Sequence, residues 1–511
     1  MPLSANAFEA QNIGSKRHIR EQQFARYSDL ASLILQKTEY SAQLRESLRN
    51  PIVFYSGVCS LSNELSKHTV PGRYKSPPPS EVLLRDFISW FYNESHGYQD
   101  LKNLMDAARE GRRNSRRARE KLIADLALNR DSSPSLSRAA NIYANIRTII
   151  VPNSRNKDAY PRKGIWISDN PVVTEQWKQW VKSGKLHDSR TARKPLEEVD
   201  LSQLNFDLGP DEDAYFIGED GTTEMLVIRD FCPVQEVAAW VDKVVRDNIN
   251  VSRSIRLDDA GSLTLSGWSA GSRSQPLFAW AKNIIRSMAS DEKRSLHYDT
   301  SAIFALLWNL AVTMMPDDVL ADFEDFIGEL GIYRMDPSIY YNGEATRMYT
   351  VRIGGVDIPL RDAELAPPCG VCAKNYARFA TSILFLRSLN EDPRCMHTES
   401  QPHRFAISWT TGRDGSPEEG GHFYNGRLRI RVQGAANTLV IWKPEDVHGT
   451  SLQNVHPDDS NPKVVQTGLA IVTSSRISSI FSKYKAGQLS EVAASKQYYS
   501  FGEEVDDAEE V

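Results

Sequence analysis

The hydrophobic pattern of this chain changes near residue 347, from the three- and four-residue spacing of helices to the two-residue spacing of strands. A hairpin pattern comes first, with Arg347–Ile353 and Val356–Asp362 flanking the turn Gly354-Gly355. The later apolar runs are Arg404–Thr411, Arg427–Val432, Asn437–Trp442 and Val464–Thr473. Short strands at regular spacing, separated by Gly, Asn and Pro turns, predict a barrel or double-sheet roll over residues 346–485.

The sequence before this block is predicted to be richer in helix. Residues 1–200 are basic and mainly helical, because apolar residues recur every three or four positions in Gln22–Leu48 and Ser80–Phe91. A polar, charged stretch at Ser183–Asp200 indicates a domain boundary. The predicted fold class is therefore α+β, with a helical N-terminal region followed by a C-terminal β-roll.

Residues 201–345 are predicted to form a mixed region between these two parts. Ala214–Gly218 and Thr223–Phe231 flank an Asp-Gly turn and predict a hairpin. Gln235–Asn248 is amphipathic, and Ser295–Gly331 contains a buried helix that Pro316 separates from a second one. The remaining segment, residues 486–511, ends in six acidic residues within ten positions and is predicted to be a disordered tail.

Charge is distributed unevenly along the 511 residues, although the net charge is only −5. Residues 1–200 carry 32 basic and 22 acidic side chains, a surplus of +10, which leaves 29 basic and 44 acidic beyond them, a deficit of −15. Within the basic half, the segment Gly111–Lys121 holds six basic residues in eleven positions. Either a solvated helix face or a patch that binds DNA or RNA explains this segment. The arginines of the patch are Arg112, Arg113, Arg116, Arg117 and Arg119.

The cellular compartment of the protein is predicted from three features that the sequence lacks: a secretory signal, a membrane span and a disulfide framework. No continuous apolar stretch typical of a secretory signal occurs at the N-terminus, and the longest charge-free apolar run, Ala302–Met315, is shorter than the ~20 residues that span a bilayer. Five cysteines in so long a chain do not make a disulfide framework. The predicted location is nuclear or cytoplasmic, neither secreted nor in a membrane.

Three residues of the β-rich block suggest a metal site: His397, Glu399 and His448. Two histidines and one carboxylate on one face of an iron leave positions open for co-substrate and oxygen, as in non-haem Fe(II) oxygenases. His397 and Glu399 are two positions apart, so extended backbone directs both side chains to one face. His448 lies 49 residues beyond Glu399, after an apolar strand, and a rolled double sheet can return it beside the first pair.

A second interpretation of the same region is a metal site with cysteine ligands. Cys369 and Cys372 form a CxxC motif, and 22 residues separate it from Cys395 and His397, so the four could hold a structural zinc ion. The alternative is a plain loop with reduced thiols. The two metal sites compete for His397.

These motifs resemble those of the Fe(II)/2-oxoglutarate dioxygenases, which are built on a double-stranded β-helix, a jelly-roll-like fold. That family has His-x-Asp or His-x-Glu, a central Gly-Gly hairpin entry and a distal His after a strand and turn. The matching positions here are His397-Thr398-Glu399, Gly420-Gly421, and Lys443-Pro444-Glu445-Asp446 before His448. The resemblance covers roughly residues 365–476. The large helical N-terminal part is most similar to the TET/JBP branch, which oxidises thymine or 5-methylcytosine in DNA.

The resemblance implies that His397, Glu399 and His448 bind Fe(II) and are catalytic, with 2-oxoglutarate as co-substrate. The family usually has an Arg or Lys after the distal histidine to bind the 2-oxoglutarate carboxylate. This chain has Gln466 at that place, with Lys463 and Arg413 as other candidates, and its metal carboxylate is Glu where Asp is usual. Residues 380–396, between the predicted strand Asn375–Phe379 and the ligand pair, form an insertion.

The favoured function is an Fe(II)/2-oxoglutarate-dependent oxygenase that acts on a methylated base in nucleic acid. Two alternatives from other classes stay open on the sequence alone. One is a non-catalytic β-roll that serves as a binding or scaffold domain. The other is a structural protein that associates with nucleic acid through the Gly111–Lys121 patch. No phosphate-binding Gly-rich loop and no GxSxG motif occur in the sequence, which argues against nucleotide hydrolysis and the usual serine hydrolases.

Overall fold

A computed structural model describes most of the chain beyond residue 137. The described residues are 114, 116–128, 138–183, 195–255, 261–271, 276–284, 287–361, 363–375, 396–456, 459 and 462–489. The chain divides into two units, Met1–Glu120 and Lys121–Val511. The helices predicted within residues 22–91, most of the 380–396 insertion and the acidic C-terminal residues lie outside the described residues.

The second unit contains both helices and strands, so the chain is a mixed α+β protein. Its described helices include α1 (Arg138–Asn145), α2 (Pro171–Lys182), α3 (Gln235–Val251), α4 (Ser290–Val312), α5 (Asp317–Leu330), α6 (Pro337–Asn342) and α7 (Ile477–Lys485). The division between α4 and α5 falls at Pro316, as predicted, and Asp317 and Asp318 occupy the first turn of α5, where acidic residues favour the helix dipole.

A nine-stranded sheet, here called the large sheet, forms one layer. In spatial order its strands are β1 (Arg147–Val151), β5 (Ala214–Gly218), β6 (Thr223–Ile228), β15 (Thr438–Trp442), β12 (Ala406–Asp414), β17 (Val465–Ile471), β11 (Cys369–Lys374), β7 (Ser262–Gly271) and β8 (Pro276–Trp280). Helix α3 packs against β11, β12 and β17. The predicted hairpin is confirmed, because β5 and β6 pair antiparallel around the Asp-Gly turn.

A four-stranded sheet, here called the small sheet, forms the second layer. Its spatial order is β16 (His448–Thr450), β13 (Phe423–Asn425), β14 (Ile430–Val432) and β4 (Phe206–Leu208). Two further two-stranded sheets are separate from these layers. One pairs β9 (Met348–Ile353) with β10 (Val356–Arg361), and the other pairs β2 (Trp166–Ser168) with β3 (Leu196–Glu198). The first pair confirms the hairpin predicted around Gly354-Gly355.

The main hydrophobic core combines residues of the large and small sheets. Phe216, Val440 and Trp442 of the large sheet belong to one buried cluster with Phe423 and Ile430 of the small sheet. Burial of such side chains contributes roughly 1.5–3 kcal/mol each, which holds the two layers together. A face-to-face pair of β-layers is therefore the frame in which the candidate site lies.

The predicted domain boundaries after residues 200 and 345 both fall inside the second unit. Strand β1 comes before the first boundary and pairs in register with β5 after it, Arg147 facing Ala214. Strand β7, from the predicted middle region, pairs with β11 of the predicted β-roll, Thr264 facing Cys372. Backbone hydrogen bonds therefore cross both positions. Among the described helices, none is long and apolar enough to span a membrane.

Candidate metal centre

His397, Glu399 and His448 converge at one buried point. Their possible ligand atoms all lie within 4.8 Å of one another. The imidazole centroids are 4.4 Å apart, and His397 Nε2 lies 3.0 Å from Glu399 Oε1. All three side chains are buried. Within the part of the chain that the structure describes, this is the group of His, Cys, Asp and Glu residues that could hold a metal ion.

Backbone pairing explains why the three side chains meet. The His397 N–H donates to the His448 carbonyl at 2.9 Å, and the His448 N–H donates to the His397 carbonyl at 2.8 Å. The Glu399 N–H donates to the Pro444 carbonyl at 2.7 Å. Residues 397–399 thus extend the small sheet beside β16. Their alternation directs His397 and Glu399 to the same face, next to the histidine of the neighbouring strand.

The hydrogen bond of His448 determines which ring nitrogen can bind a metal. Its Nδ1 lies 2.8 Å from the Asp446 carbonyl oxygen, which can only accept, so Nδ1 carries the proton. The neutral ring then has its lone pair on Nε2. A backbone carbonyl that orients a ligating imidazole in this way is a common outer partner of metal sites. Two imidazoles and one carboxylate suit Fe(II), so the residues fit the ion that the sequence predicts.

The turn before His448 is fixed by a buried charge network. Arg427 donates to Asp446 through Nε and to Glu224 through Nη2, and Lys443 Nζ lies 2.9 Å from Glu224 Oε1. Asn425 also donates to Asp446, at 3.0 Å. Burial raises the pKa of Asp446, while Arg427 and Asn425 oppose this rise by stabilising the carboxylate. The network keeps the Asp446 carbonyl in place for His448.

Aromatic side chains form the apolar wall of the centre. The Trp442 ring lies 5.7 Å from that of His448, and the Phe423 ring lies 6.2 Å away. Trp442 and Phe423 also contact each other, with centroids 5.2 Å apart. Such a wall limits water access and strengthens electrostatic interactions within the site.

Arg413 and Gln466, two predicted co-substrate residues, are brought together by the structure. They face each other across β12 and β17, and Arg413 Nη1 donates to Gln466 Oε1. Arg413 Nη2 donates to the Gly420 carbonyl at 2.7 Å, and burial lowers the pKa of the guanidinium. Lys463 is exposed, just before β17. The cross-strand pair therefore places a guanidinium beside the Gln466 amide.

A small cavity of about 20 Å³ lies between the two sheets. Gln466 lines it, together with the hydroxyl-bearing residues Ser408, Thr410, Thr438 and Thr450. Arg229, directly after β6, also lines it. No local sequence motif marks Arg229, because only the sheet order turns it inward.

The basic patch lies partly outside the described residues, which include Arg116, Arg117 and Arg119 but not Arg112 or Arg113. Residues 116–120 are helical, and Arg116 forms an exposed 2.8 Å ion pair with Glu120 one turn later. This pair is typical of a solvated helix face.

The CxxC motif lies in a strand, so its interpretation as a loop is wrong. β11 pairs with β7 on one side and β17 on the other, and burial raises the pKa of both Cys369 and Cys372 to about 12. Residues three apart in a strand point to opposite faces, which does not suit two ligands of one zinc ion. Cys395 lies outside the described residues, and the metal-binding group that the structure describes contains no cysteine.

Comparison with known proteins gives structural neighbours only. No protein-family profile matches the chain, and no curated protein does. The structure of NgTET1 in complex with 5mC DNA aligns with a TM-score of 0.30 and 12% identity, over 51% of this chain and 76% of that one. IDO from Bacillus thuringiensis aligns with a TM-score of 0.22 and 11% identity, over 49% of this chain and 91% of that one. Neighbours with TM-scores this low do not indicate a function for this chain.

The fold and the site together define a class of protein. The chain is an α+β protein with large multi-strand sheets, and it holds a candidate metal-binding group of two histidines and one glutamate.

Proposed function

We propose that this protein is an Fe(II)/2-oxoglutarate-dependent oxygenase whose metal ligands are His397, Glu399 and His448. The observation that carries the proposal is the convergence of these three buried side chains, with their ligand atoms within 4.8 Å of one another. Two residues come from one segment and the third from a neighbouring strand. Three protein ligands on one side leave other coordination positions for co-substrate and oxygen.

We also propose that the two sheets form a double-stranded β-helix. Along the chain β11 belongs to the large sheet, residues 397–399 to the small sheet, β12 to the large, β13 and β14 to the small, β15 to the large, β16 to the small and β17 to the large. This alternation between two antiparallel layers is typical of jelly-roll folds. It supports the family proposal because it places the distal histidine beside the first ligand pair.

Residues of this chain would orient the metal ligands and exclude water from the site in three ways. The Asp446 carbonyl holds the His448 ring so that Nε2 faces the centre. The Gln401 amide lies 3.4 Å from Glu399 Oε2, on the side of the carboxylate away from His397. Phe423 and Trp442 exclude water from the side of His448. The bound iron would supply activation of dioxygen coupled to decarboxylation of 2-oxoglutarate, leaving an oxidant for a C–H bond.

The cavity between the sheets is the proposed place for 2-oxoglutarate. Thr450 lines it and lies two residues after His448 on β16, so both side chains share one face of the small sheet. Phe423 lines it as well and contacts the His448 ring. At about 20 Å³ the cavity has room for one or two water molecules, so the side chains around it would have to move apart for 2-oxoglutarate to bind. Arg413, Gln466 and Lys463 remain the candidates that the sequence proposes for the far carboxylate.

The direct test is co-substrate turnover by the full-length chain. We expect the purified protein, loaded with one equivalent of Fe(II) without air, to release succinate and CO₂ when oxygen and 2-oxoglutarate are added. The measurement is succinate formed per 2-oxoglutarate consumed, with metal-free protein as control. Stoichiometric iron binding without any succinate would contradict the oxygenase proposal and favour the non-catalytic β-roll.

The substrate we propose is a methylated base in DNA or RNA, held by the basic N-terminal region. Residues 201–511 carry a charge deficit of −15, so the β-layers do not suit broad contact with phosphates, whereas residues 1–200 have a surplus of +10. A base in a duplex would have to be flipped out of the stack to reach a buried centre such as that of His448.

Replacing Arg112, Arg113, Arg116, Arg117 and Arg119 by Gln tests this nucleic-acid contact. We expect affinity for a short duplex to fall by about 10-fold or more at low salt, and the slope of log affinity against log salt to become shallower, because each phosphate contact releases counterions. The measurement is fluorescence anisotropy at several salt concentrations. Replacing the exposed lysine Lys243 by Gln is the control, and affinity unchanged in the fivefold variant would refute the contact.

A further inference from the structure

The connection between β1 and β2 carries a local concentration of positive charge. Residues 152–163, here called the basic loop, contain four basic side chains and one acidic one, a net charge of +3. The basic side chains are all exposed, and they are Arg155, Lys157, Arg162 and Lys163. The basic loop belongs to the same unit of the chain as the metal ligands. Part of the positive surplus of residues 1–200 therefore lies in the unit that holds the metal centre.

One end of the basic loop is fixed to the turn beside the metal carboxylate. The Asn156 amide donates to the Glu445 carbonyl at 2.8 Å, and the Val447 N–H donates to Asn156 Oδ1 at 2.9 Å. In the same turn, the Pro444 carbonyl accepts the N–H of Glu399 at 2.7 Å. Both chain neighbours of the asparagine are basic. Two exposed positive charges are therefore held next to the turn that contacts the metal carboxylate's backbone.

The other end of the basic loop is fixed to the segment that carries the first two metal ligands. The Gly164 N–H donates to the Met396 carbonyl at 2.8 Å, and the Met396 N–H donates to the Ile165 carbonyl at 3.0 Å. Lys163 Nζ donates to Thr398 Oγ1 at 3.1 Å. Thr398 lies between the two ligands, so the alternation of extended backbone turns it to the opposite face. The basic loop thus follows the outer side of the edge that bears the ligands.

Acidic side chains near the basic loop offset part of its charge. Glu197 forms an ion pair with Arg162, and Asp158 and Glu445 are exposed beside the loop. The three other basic side chains of the loop are Arg155, Lys157 and Lys163. Exposed lysine and arginine are the usual partners of phosphate oxygens, so these three residues suit contact with a polyanion.

We propose that the basic loop binds the phosphodiester backbone of the nucleic-acid substrate through Arg155, Lys157 and Lys163. Phosphate contacts fix the position and orientation of a nucleic acid, so the loop would place the strand at the edge that carries the metal ligands. Residues 201–511 have a charge deficit of −15, which would repel a broad acidic protein surface, whereas a narrow backbone can follow a single loop. This inference rests on the proposed nucleic-acid substrate.

Replacing Arg155, Lys157 and Lys163 together by Gln tests the assignment. The experiment uses the full-length, metal-free protein and a short duplex, and the measurement is fluorescence anisotropy at several salt concentrations. We expect affinity to fall by about 10-fold or more at low salt. The slope of log affinity against log salt should become shallower by about 2–3, because each phosphate contact contributes roughly 0.9 to it.

Two further variants separate phosphate contact from a change in net charge or in folding. Replacing Lys243, Lys483 and Lys485 by Gln removes the same charge from exposed positions on α3 and α7, which pack against the large sheet. We expect this matched variant to keep both affinity and slope. The charge-conserving double variant Arg155→Lys with Lys157→Arg should also bind as the wild type does, because phosphates accept either cation.

Three results would overturn the inference. The first is unchanged affinity and slope in the loop variant, and the second is an equal loss in the matched variant. The third concerns a poly-glutamate peptide used as a second probe: if the loop variant loses affinity for the peptide but not for the duplex, the loop fits an acidic protein instead. Failure of wild-type protein to bind the duplex would overturn both this inference and the proposed substrate, whereas succinate release tests the oxygenase proposal independently.

Discussion

His448→Ala is expected to abolish tight iron binding and succinate release. The substitution removes one of three ligands, and even the loss of an outer partner of a metal ligand typically costs 10- to 100-fold in affinity. We therefore expect iron affinity to fall by more than about 100-fold, and turnover to fall below detection. The measurements are iron content after dialysis and succinate formed from 2-oxoglutarate.

A buried histidine outside the centre provides the matched control. His403 is buried against Phe323, with ring centroids 4.3 Å apart, and burial lowers its pKa to about 4. His403→Ala should destabilise the protein, because it leaves a cavity, yet retain one bound iron. Equal iron loss in both variants would indicate that the effect of His448→Ala is structural and would contradict its role as a ligand.

Arg427→Met is expected to lower the free energy of unfolding by about 3–5 kcal/mol, because it leaves Asp446 and Glu224 buried without their guanidinium partner. It should also weaken iron affinity by about 10- to 100-fold, since the Asp446 carbonyl orients His448. Urea denaturation of metal-free protein and iron titration measure the two effects separately.

The pH dependence of this loss has a definite sign. Burial already raises the pKa of Asp446, and removing Arg427 raises it further. A raised pKa means that the folded state favours the protonated acid, so the deficit in stability should shrink as the pH falls and grow as the pH rises. Lys243→Met, which removes an exposed pair with Asp247, should cost less than about 1 kcal/mol at any pH. A deficit for Arg427→Met that does not change with pH would exclude a charged Asp446 as its cause.

Much of the β-rich block was predictable because its strands alternate and end at recognisable turns. The hairpin at Gly354-Gly355 is present, as is the one predicted before this block at Asp220-Gly221. Strand β11 was missed for the opposite reason. It is covered on both faces, with Cys369, Gly370 and Cys372 all buried, so no alternation of polar and apolar residues marks it.

Strands β1 and β4 were not predicted, because each pairs with a strand far away in the sequence. β1 and β4 lie before residue 209 in the chain, yet each completes a sheet with strands that come later, β1 beside β5 and β4 beside β14. Which strand occupies an edge depends on partners that no local pattern identifies. The large sheet therefore joins segments that lie on both sides of residues 200 and 345.

By itself the sequence determined the ligand types and their local spacing: a His-x-Glu pair, a distal histidine after a strand and turn, and a charge surplus confined to residues 1–200. Only the tertiary structure decided that His397 pairs with His448, that Arg413 lies across from Gln466, and that Arg229 lines the cavity. The physical reason is that side-chain chemistry and period are local properties of a chain. Convergence depends on which strands share hydrogen bonds, and this is settled by burial of the whole core.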